Sequence, residues 1–258
     1  MVTQITSKDN VKIKLAVALK SRQKREEYGL FCFEGDKLSI EALNNNADIQ
    51  FIFISSSYKD QSLAEIFDKN KIDVYIIPPN LFDKITQSQT PQGVLTVAKI
   101  KSLKTVDNIK EGRYIALDAM SDPGNLGAVL RSVDAFSIDG IILGAGCTDL
   151  FSAKTIRGSM GSFFRCNYYL AENLSYALDA LRCKGFDIYC ADLDSHAVSL
   201  NNLTFSKNVV ITIGNESNGI SDKVKEVSKT LYIPMSGKSE SLNASVAAGI
   251  ICWELSKS

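Results

Sequence analysis

Strand-like apolar runs of about five residues recur along the whole chain and alternate with segments of helical periodicity. Phe51–Ile54 and Val209–Ile213 are typical of these runs. They are far shorter than the ~20 apolar residues that span a bilayer, so we expect no membrane segment. Strands that alternate with helices predict an α/β fold with a parallel sheet, in which ligands bind in loops at the carboxyl ends of the strands.

The alternation is interrupted by a polar and charged segment, KSLKTVDNIKEG, at residues 101–112. We interpret this segment as a linker between a small α/β domain over 1–100 and a larger one over 113–258. In the first domain, the apolar spacing predicts a single helix over 9–25. In the second domain, it predicts helices over Leu126–Ala135 and Ser241–Leu255.

Basic residues are concentrated at the N-terminus, although the formal net charge of the whole chain is zero. Residues 1–25 contain seven bases and one acid, Asp9. Such a segment suits an anionic partner such as RNA, and it is equally typical of a solvated helix face. The candidate RNA-binding residues are the last four of these cations: Lys20, Arg22, Lys24 and Arg25.

Several common sites are excluded by the residues themselves. The six cysteines form no CxxC pair and His196 is the sole histidine, so we expect free thiols and no metal site. Free thiols, together with a start that has no apolar signal core, favour the cytoplasm. A P-loop requires a glycine where Tyr232 stands, and the dinucleotide fingerprint requires one where Asp149 stands.

Three polar loops remain, each directly after an apolar strand. The first leads through Asn125 to Arg131, which lies in an otherwise apolar helix. An arginine in such a place predicts an anionic partner, either a substrate group or an acid such as Asp118 or Glu216.

The second and third loops combine polar side chains with glycine and other small residues. The second places Glu216 between Gly214 and Gly219. The third passes Ser241 and Asn243 into a helix rich in small residues, where Ser and Asn are also natural helix caps.

Together these loops resemble, in order and in spacing, the three motifs of the SpoU (TrmH-type) RNA 2′-O-ribose methyltransferases. The matching segments are NLGAVLR at 125–131, IGNESNGIS at 213–221, IPM at 233–235 and SLNASVAA at 241–248. Residues 1–100 resemble the L30e-like substrate-binding extension of this family, through the region 25–29 leading into FEG at 33–35, then EAL at 41–43 and PQGV at 91–94. One departure is Ser217, which stands where many relatives have glycine.

The resemblance implies a trefoil-knotted, parallel-sheet methyltransferase domain preceded by a small L30e-like α/β domain. It implies methyl transfer from S-adenosylmethionine to a ribose 2′-hydroxyl of RNA. The positions that match the family's cofactor contacts are Gly214, Ile233 and Leu242. Those that match its catalytic set are Asn125, Arg131, Glu216, Ser241 and Asn243.

The resemblance places Asn125 and Arg131 on the substrate side. Because a guanidinium is a poor base, we expect Arg131 to orient the ribose and its phosphate and to stabilise the forming alkoxide. We expect Glu216 to organise the site by accepting hydrogen bonds from Asn125 or from backbone amides.

The resemblance further implies a homodimer through the C-terminal domain and favours ribosomal RNA over tRNA as the substrate. Two alternatives stay open at this point: a tRNA 2′-O-methyltransferase, and a non-catalytic RNA-binding protein. A nucleotide-dependent dehydrogenase is disfavoured, since the glycine fingerprint is incomplete.

Overall fold

The computed structural model of the chain describes residues 1–60, 62–238 and 241–257. The strands are β1 (Val2–Gln4), β2 (Leu30–Glu34), β3 (Ile49–Ser55), β4 (Asp73–Ile77), β5 (Val94–Lys99), β6 (Lys104–Thr105), β7 (Arg113–Leu117), β8 (Gly140–Gly144), β9 (Tyr168–Ala171), β10 (Asp187–Ala191), β11 (Val198–Ser199), β12 (Val209–Ile213) and β13 (Lys229–Tyr232). The helices are α1 (Val11–Ala18), α2 (Arg22–Tyr28), α3 (Asp36–Asn44), α4 (Ser62–Lys69), α5 (Pro79–Ile85), α6 (Pro123–Ala135), α7 (Ala153–Gly158), α8 (Leu174–Cys183), α9 (Asp222–Lys225) and α10 (Ala244–Leu255).

The chain forms two compact units, and the boundary between them is not a single point. The N-terminal unit consists of Met1–Lys101 together with Asp149–Phe164, and the C-terminal unit consists of Ser102–Thr148 and Arg165–Ser258. Both units combine a sheet with helices, which confirms the predicted α/β class. The trefoil knot stays a prediction. None of the helices in the described ranges is long and apolar enough to cross a membrane.

The N-terminal unit is built on a five-stranded sheet in the order β1-β4-β3-β5-β2. Strands β1, β4 and β3 are parallel, whereas β5 runs antiparallel to both β3 and β2. Successive side chains of a strand point to opposite faces. Phe51 and Phe53 therefore pack on one face against α1 and α5, and Ile52 and Ile54 pack on the other face against α4.

The helix predicted over residues 9–25 is interrupted and forms two helices. Helix α1 ends at Ala18, and Ser21 has an extended backbone before α2 begins at Arg22. The arginine at 25 explains the break. Its Nη1 donates to the carbonyl oxygens of Leu19 at 2.7 Å and of Lys20 at 2.9 Å. These hydrogen bonds satisfy backbone acceptors that a continuous helix would have used itself.

A segment from the middle of the chain completes the core of the N-terminal unit. The guanidinium of Arg25 forms a buried ion pair with Asp149, with Nη2 and Oδ2 2.5 Å apart. The ring of Phe31 lies 5.2 Å from that of Phe151 and 5.7 Å from that of Phe163, measured between centroids. Residues 149–164 thus pack with the N-terminal unit, whereas the sequence-based division placed them within 113–258.

The C-terminal unit is built on an eight-stranded sheet in the order β11-β13-β10-β12-β7-β8-β9-β6, with every described pair parallel. Strand β12 lies between β10 and β7, so the chain places a late strand in the centre of the sheet. In a parallel sheet, the loops that carry ligands follow the carboxyl ends of the strands where the strand order changes direction. The loops after β7 and β12 meet this condition.

The segment predicted to be a linker is part of the C-terminal unit. Lys104 and Thr105 pair with Tyr169 and Leu170 of β9, and Ile109 is buried. The polar appearance of 101–112 arises because β6 is an edge strand with exposed side chains. An edge strand of this kind lacks the apolar alternation by which a strand is recognised in sequence.

The ion pair between Arg25 and Asp149 gives a prediction about stability. The Asp149→Asn variant leaves the Arg25 charge buried without a counter-charge, so we expect the free energy of unfolding to fall by about 3 kcal/mol. Urea denaturation followed by circular dichroism measures the change. The matched control is Glu26→Gln, which disturbs the exposed pair of Glu26 with Arg22 and should cost less than about 0.5 kcal/mol. Equal losses in the two variants would contradict a stabilising role for the buried pair.

Candidate active site

Three loops meet because the strands that carry them are parallel. Strands β7 and β12 are hydrogen-bonded neighbours along their whole lengths, and β13 lies in the same sheet beyond β10. We name the loops after these strands: the β7 loop (residues 118–122), the β12 loop (214–221) and the β13 loop (233–243, described except for 239 and 240).

The carboxylate of Glu216 joins the β12 loop to the β7 loop and to the start of α6. Its Oε1 accepts a hydrogen bond from Nδ2 of Asn125 at 2.8 Å and from the amide of Asp122 at 3.3 Å. Its Oε2 accepts from the hydroxyl of Ser121 at 2.9 Å and from the amide of the same residue at 3.2 Å. The expected hydrogen bond from Asn125 to Glu216 is therefore present.

A second amide side chain extends this network to the β13 loop. Nδ2 of Asn243 donates to Oδ1 of Asn125 at 3.1 Å. Oδ1 of Asn243 caps α10, because it accepts from the amides of Ser245 at 2.9 Å and Val246 at 3.3 Å. This cap explains why α10 begins at Ala244 and not at Ser241 as predicted. Asn243 therefore combines the capping role with a place in the network.

The donors around Glu216 fix its charge state. Burial raises the pKa of the Glu216 carboxyl, but the hydrogen bonds from Asn125 and Ser121 and from backbone amides outweigh it and lower the pKa from 4.5 to about 2. The group is thus a carboxylate throughout the neutral range. A carboxylate with so low a pKa is a poor proton acceptor, and the hydrogen bonds of Glu216 connect the β12 loop to the β7 loop and α6.

The β12 loop is folded tightly on itself and bonded to the β7 loop. Asn215 exchanges backbone hydrogen bonds with Gly219, and its Nδ2 donates to the carbonyl oxygen of Ala119 at 2.7 Å. A Cβ on Gly214 would lie 2.4 Å from the carbonyl carbon of Gly219. The requirement for glycine at 214 therefore comes from this turn of the loop. Ser217 fits the turn, with its amide donating to Oδ1 of Asn215 at 2.9 Å.

A cavity of about 540 Å³ opens beside this network, within the C-terminal unit. It is lined by all three residues predicted to bind the cofactor, Gly214, Ile233 and Leu242, and by three of the predicted catalytic residues, Glu216, Ser241 and Asn243. Its size falls in the usual range for small-molecule sites.

The part of the cavity that follows β10 was not predicted from the sequence. Asp192 and Leu193 line it there, and Tyr232 and Met235 line it beside Ile233. The carboxyl end of β10 lies at the same sheet edge as the three motifs. The position of β10 in the same parallel sheet could have indicated that the loop after it reaches the site, but no motif in the sequence identifies Asp192.

Arg131 stands apart from the cavity. It is exposed on α6 and does not line the cavity. Among the described residues, neither Asp118 nor Glu216 pairs with it: Oδ2 of Asp118 accepts from the amide of Ser221 at 2.8 Å, and Glu216 is engaged as described above. The guanidinium is accessible to an anionic ligand from solvent.

The four cations proposed to bind RNA differ in their surroundings. Arg22 pairs with Glu26, Lys24 pairs with Glu27, and Nζ of Lys20 donates to the carbonyl oxygen of Thr86 at 2.7 Å. Arg25 is 6% exposed and fully engaged within the N-terminal unit. Its assignment to an RNA-facing surface is therefore wrong, because its charge is used to hold the fold together.

Comparisons with known proteins agree with this geometry. The profile of the SpoU rRNA methylase family matches residues 112–253, and that of the MRM3-like substrate-binding domain matches residues 10–96. The chain is 31% identical to the 23S rRNA (guanosine(2553)-2′-O)-methyltransferase RlmP of Bacillus subtilis, with 98% of each chain covered.

Solved structures are similar over the full length. An AdoMet-bound rRNA methyltransferase from Sinorhizobium meliloti has a TM-score of 0.88 and 30% identity, covering 99% of this chain and 98% of its own. A putative RNA methyltransferase of the TrmH family from Porphyromonas gingivalis has a TM-score of 0.84 and 30% identity, covering 95% of this chain and 97% of its own.

The chain belongs to the SpoU rRNA methylase family. This membership confirms the enzyme class predicted from the sequence, an RNA methyltransferase, and the cofactor of that class, S-adenosylmethionine. The match to a substrate-binding domain confirms that the region around residues 10–96 resembles the family's N-terminal extension.

The low pKa of Glu216 predicts a pH dependence of stability. A carboxylate whose pKa is lowered by folding adds stability above its ordinary pKa of 4.5, and loses it as the pH falls towards about 2. The Glu216→Gln variant lacks this contribution. The difference in free energy of unfolding between the two proteins should be constant from about pH 5 to 8 and shrink below about pH 4.5. Urea denaturation across this range measures it. A difference that changes near neutral pH would contradict the hydrogen-bonded carboxylate.

Proposed function

We propose that this protein methylates a ribose 2′-hydroxyl of ribosomal RNA, using S-adenosylmethionine bound in the cavity of the C-terminal unit. The observation that carries the proposal is the cavity itself. Gly214, Ile233 and Leu242 line it, and the network of Glu216, Asn125 and Asn243 stands at its edge. A non-catalytic RNA-binding protein would have no need for this connected arrangement.

The residues of the cavity suit S-adenosylmethionine, which supplies a methyl group on a positively charged sulfur. Ile233 and Leu242 offer apolar surface for an adenine ring, and the backbone beside Gly214 offers polar groups. Among the described lining residues there are carboxylates but no lysine, arginine or histidine. Such a lining favours a cationic ligand over an anionic one.

The roles of the polar residues follow from their contacts. Glu216 holds Asn125 and the β7 loop, so both are positioned before substrate binds. Asn243 holds the other side of Asn125 and fixes the start of α10. Ser241 lines the cavity beside them and faces the reacting groups in this proposal. The proton of the 2′-hydroxyl leaves to solvent or to an RNA phosphate, since Glu216 is too weak a base to accept it.

Arg131 is assigned to the RNA. Its exposed guanidinium has no partner among the described residues and cannot lose its proton in a protein. A planar guanidinium binds phosphate oxygens in pairs, so we assign Arg131 to orienting the ribose phosphate and stabilising the forming alkoxide. Catalysis then depends on alignment and electrostatic stabilisation, without a metal ion.

Ribosomal RNA is the proposed substrate because RlmP, which resembles this chain over 98% of both lengths, is named for a 23S rRNA reaction. A ribosomal substrate also agrees with the cytoplasmic location expected from the sequence.

The proposal is tested by mapping 2′-O-methylation across total RNA from cells with and without the gene. We expect one ribosomal position to lose its methyl group, and wild-type protein to restore it. The Arg131→Ala variant should lower turnover by about a hundredfold or more with little change in S-adenosylmethionine affinity. Arg131→Lys should not rescue activity, because lysine lacks the planar fork.

The matched control is Arg182→Ala, which removes an exposed arginine that pairs with Asp179 on α8. This variant should be fully active. A methyl group missing from tRNA, or from no RNA, would overturn the ribosomal assignment. Loss of cofactor affinity in Arg131→Ala would overturn the role of that residue.

We further propose that the cations of α2 and its N-terminal neighbour contribute to RNA affinity. Lys20, Arg22 and Lys24 are accessible, although each has an intramolecular partner that shares its charge. The match of residues 10–96 to a substrate-binding domain supports this assignment. Arg25 is excluded from it because of its burial.

Charge reversal tests this surface. Changing Lys20, Arg22 and Lys24 to Glu should weaken RNA binding and reduce the slope of log affinity against log salt by nearly one for each phosphate that is no longer neutralised. Fluorescence anisotropy with labelled RNA at several salt concentrations measures the slope. Reversal of Lys59 and Lys69, which are exposed elsewhere on the same unit, is the control. If the salt dependence of RNA affinity were unchanged in the first variant, these three cations would be solvent-exposed residues without a role in RNA binding.

We also propose that the protein is a homodimer formed through the C-terminal unit. Helix α10 buries Ala248, Ile251 and Leu255 in its own unit. Its opposite side presents Val246, which is 49% exposed, and Trp253, which is 50% exposed. Apolar residues on both sides of a helix indicate a second packing partner, and a twofold-symmetric copy is the commonest one.

A further inference from the structure

The cavity contains a second carboxylate that the proposed reaction does not use. Asp192 lines it directly after β10, whereas Glu216 lies in the β12 loop. The side chain of Asp192 is 23% exposed. The Debye length at physiological salt is about 8 Å. A charge bound beside Asp192 in the cavity is within this distance of its carboxylate.

Asp192 is held rigidly in its place. Its amide donates to the carbonyl oxygen of Leu231 at 3.0 Å, which continues the pairing of β10 with β13. Its Oδ1 accepts from the amide of Leu193 at 2.9 Å, and its Oδ2 forms an ion pair with Nζ of Lys225 on α9. Lys225 does not line the cavity. The carboxylate is thus oriented before any ligand binds, with a cation behind it that weakens its field.

The charge of the cofactor changes during the proposed reaction. The bond between sulfur and the methyl carbon breaks with its electron pair staying on sulfur, while a bond forms from the ribose oxygen to that carbon and the hydroxyl proton is lost. S-adenosylmethionine is thereby converted into S-adenosylhomocysteine, which has the same amino, carboxylate, ribose and adenine groups but no charge on sulfur. The two ligands differ in one methyl group and one positive charge.

We propose that Asp192 is a specificity-determining residue that favours S-adenosylmethionine over S-adenosylhomocysteine through this charge difference. The proposal rests on the proposed function, since it assumes that the cavity holds the cofactor. The Asp192 carboxylate attracts the positively charged sulfur of S-adenosylmethionine, whereas the sulfur of S-adenosylhomocysteine has no charge to attract. Asp192 therefore favours replacement of the product by fresh cofactor. Lys225 opposes the effect, because it offsets part of the Asp192 charge.

Isothermal titration calorimetry on the full chain tests the proposal with three ligands. These are S-adenosylmethionine, S-adenosylhomocysteine, and sinefungin, in which a carbon bearing an ammonium group replaces the methylated sulfur. Asp192→Asn should weaken binding of the two charged ligands by about fivefold relative to the neutral one, the scale of a partly screened ion pair. Lys225→Gln should shift the same ratio in the opposite direction.

The opposite signs separate an electrostatic role from a merely structural one. If Asp192 and Lys225 only held α9 against the sheet, both variants would weaken all three ligands alike. The control is Asp187→Asn, which removes a carboxylate that pairs with Lys229 at 3.2 Å. Asp187 lies at the other end of β10, about 17 Å away at the rise of an extended strand, so the ratio should not change.

Two results would overturn the proposal: an unchanged ratio in Asp192→Asn, or a shift of the same sign in Lys225→Gln. Failure of the proposed function is distinguishable from both. In that case neither S-adenosylmethionine nor S-adenosylhomocysteine would bind the wild-type protein.

Discussion

The parallel pairing of β10, β12 and β7 is the constraint on which the site depends. Parallel strands end at one edge of the sheet, so residues that lie some ninety positions apart in the chain, such as Asn125 and Glu216, come within hydrogen-bond distance. Because β12 is placed between β10 and β7, the loops of an early and a late strand become neighbours. The cavity lies at this edge, beside the β12 and β13 loops.

The carboxylate of Glu216 turns that proximity into a defined geometry. It accepts hydrogen bonds from three residues of the β7 loop and α6, and the same donors keep it ionised. Asn125 in turn accepts a hydrogen bond from Asn243, which also caps the N-terminus of α10. A chain of polar contacts therefore links all three loops, and moving one of its members would disturb the others. This coupling gives Glu216 a structural role, because its hydrogen bonds connect the β12 loop to the β7 loop and α6.

The N-terminal unit also depends on a charged residue, Arg25, which stabilises the fold of this unit. Arg25 satisfies two carbonyl groups left by the end of α1 and is neutralised by Asp149. Residues 149–164 contribute aromatic side chains to the same core, although in the chain they lie between β8 and β9. A unit assembled from two stretches of chain cannot be cut out at a single boundary, and residues 1–100 alone would leave Phe31 without two of its neighbours.

The α/β class, most of the strands and helices, and the family could be predicted from the amino-acid sequence alone. Those depend on local periodicity and on motif order, which a sequence displays directly. The sequence also identified Glu216, Asn125 and Asn243, since their motifs lie just after apolar strands. Four features became visible only in the three-dimensional structure: the burial of Arg25, the exposure of Arg131, the packing of 149–164 with the N-terminal unit, and the position of Asp192 in the cavity lining. Each of these features depends on which residues from distant parts of the chain pack against the one concerned. Burial and charge pairing are set by such long-range contacts and not by the neighbours in the sequence.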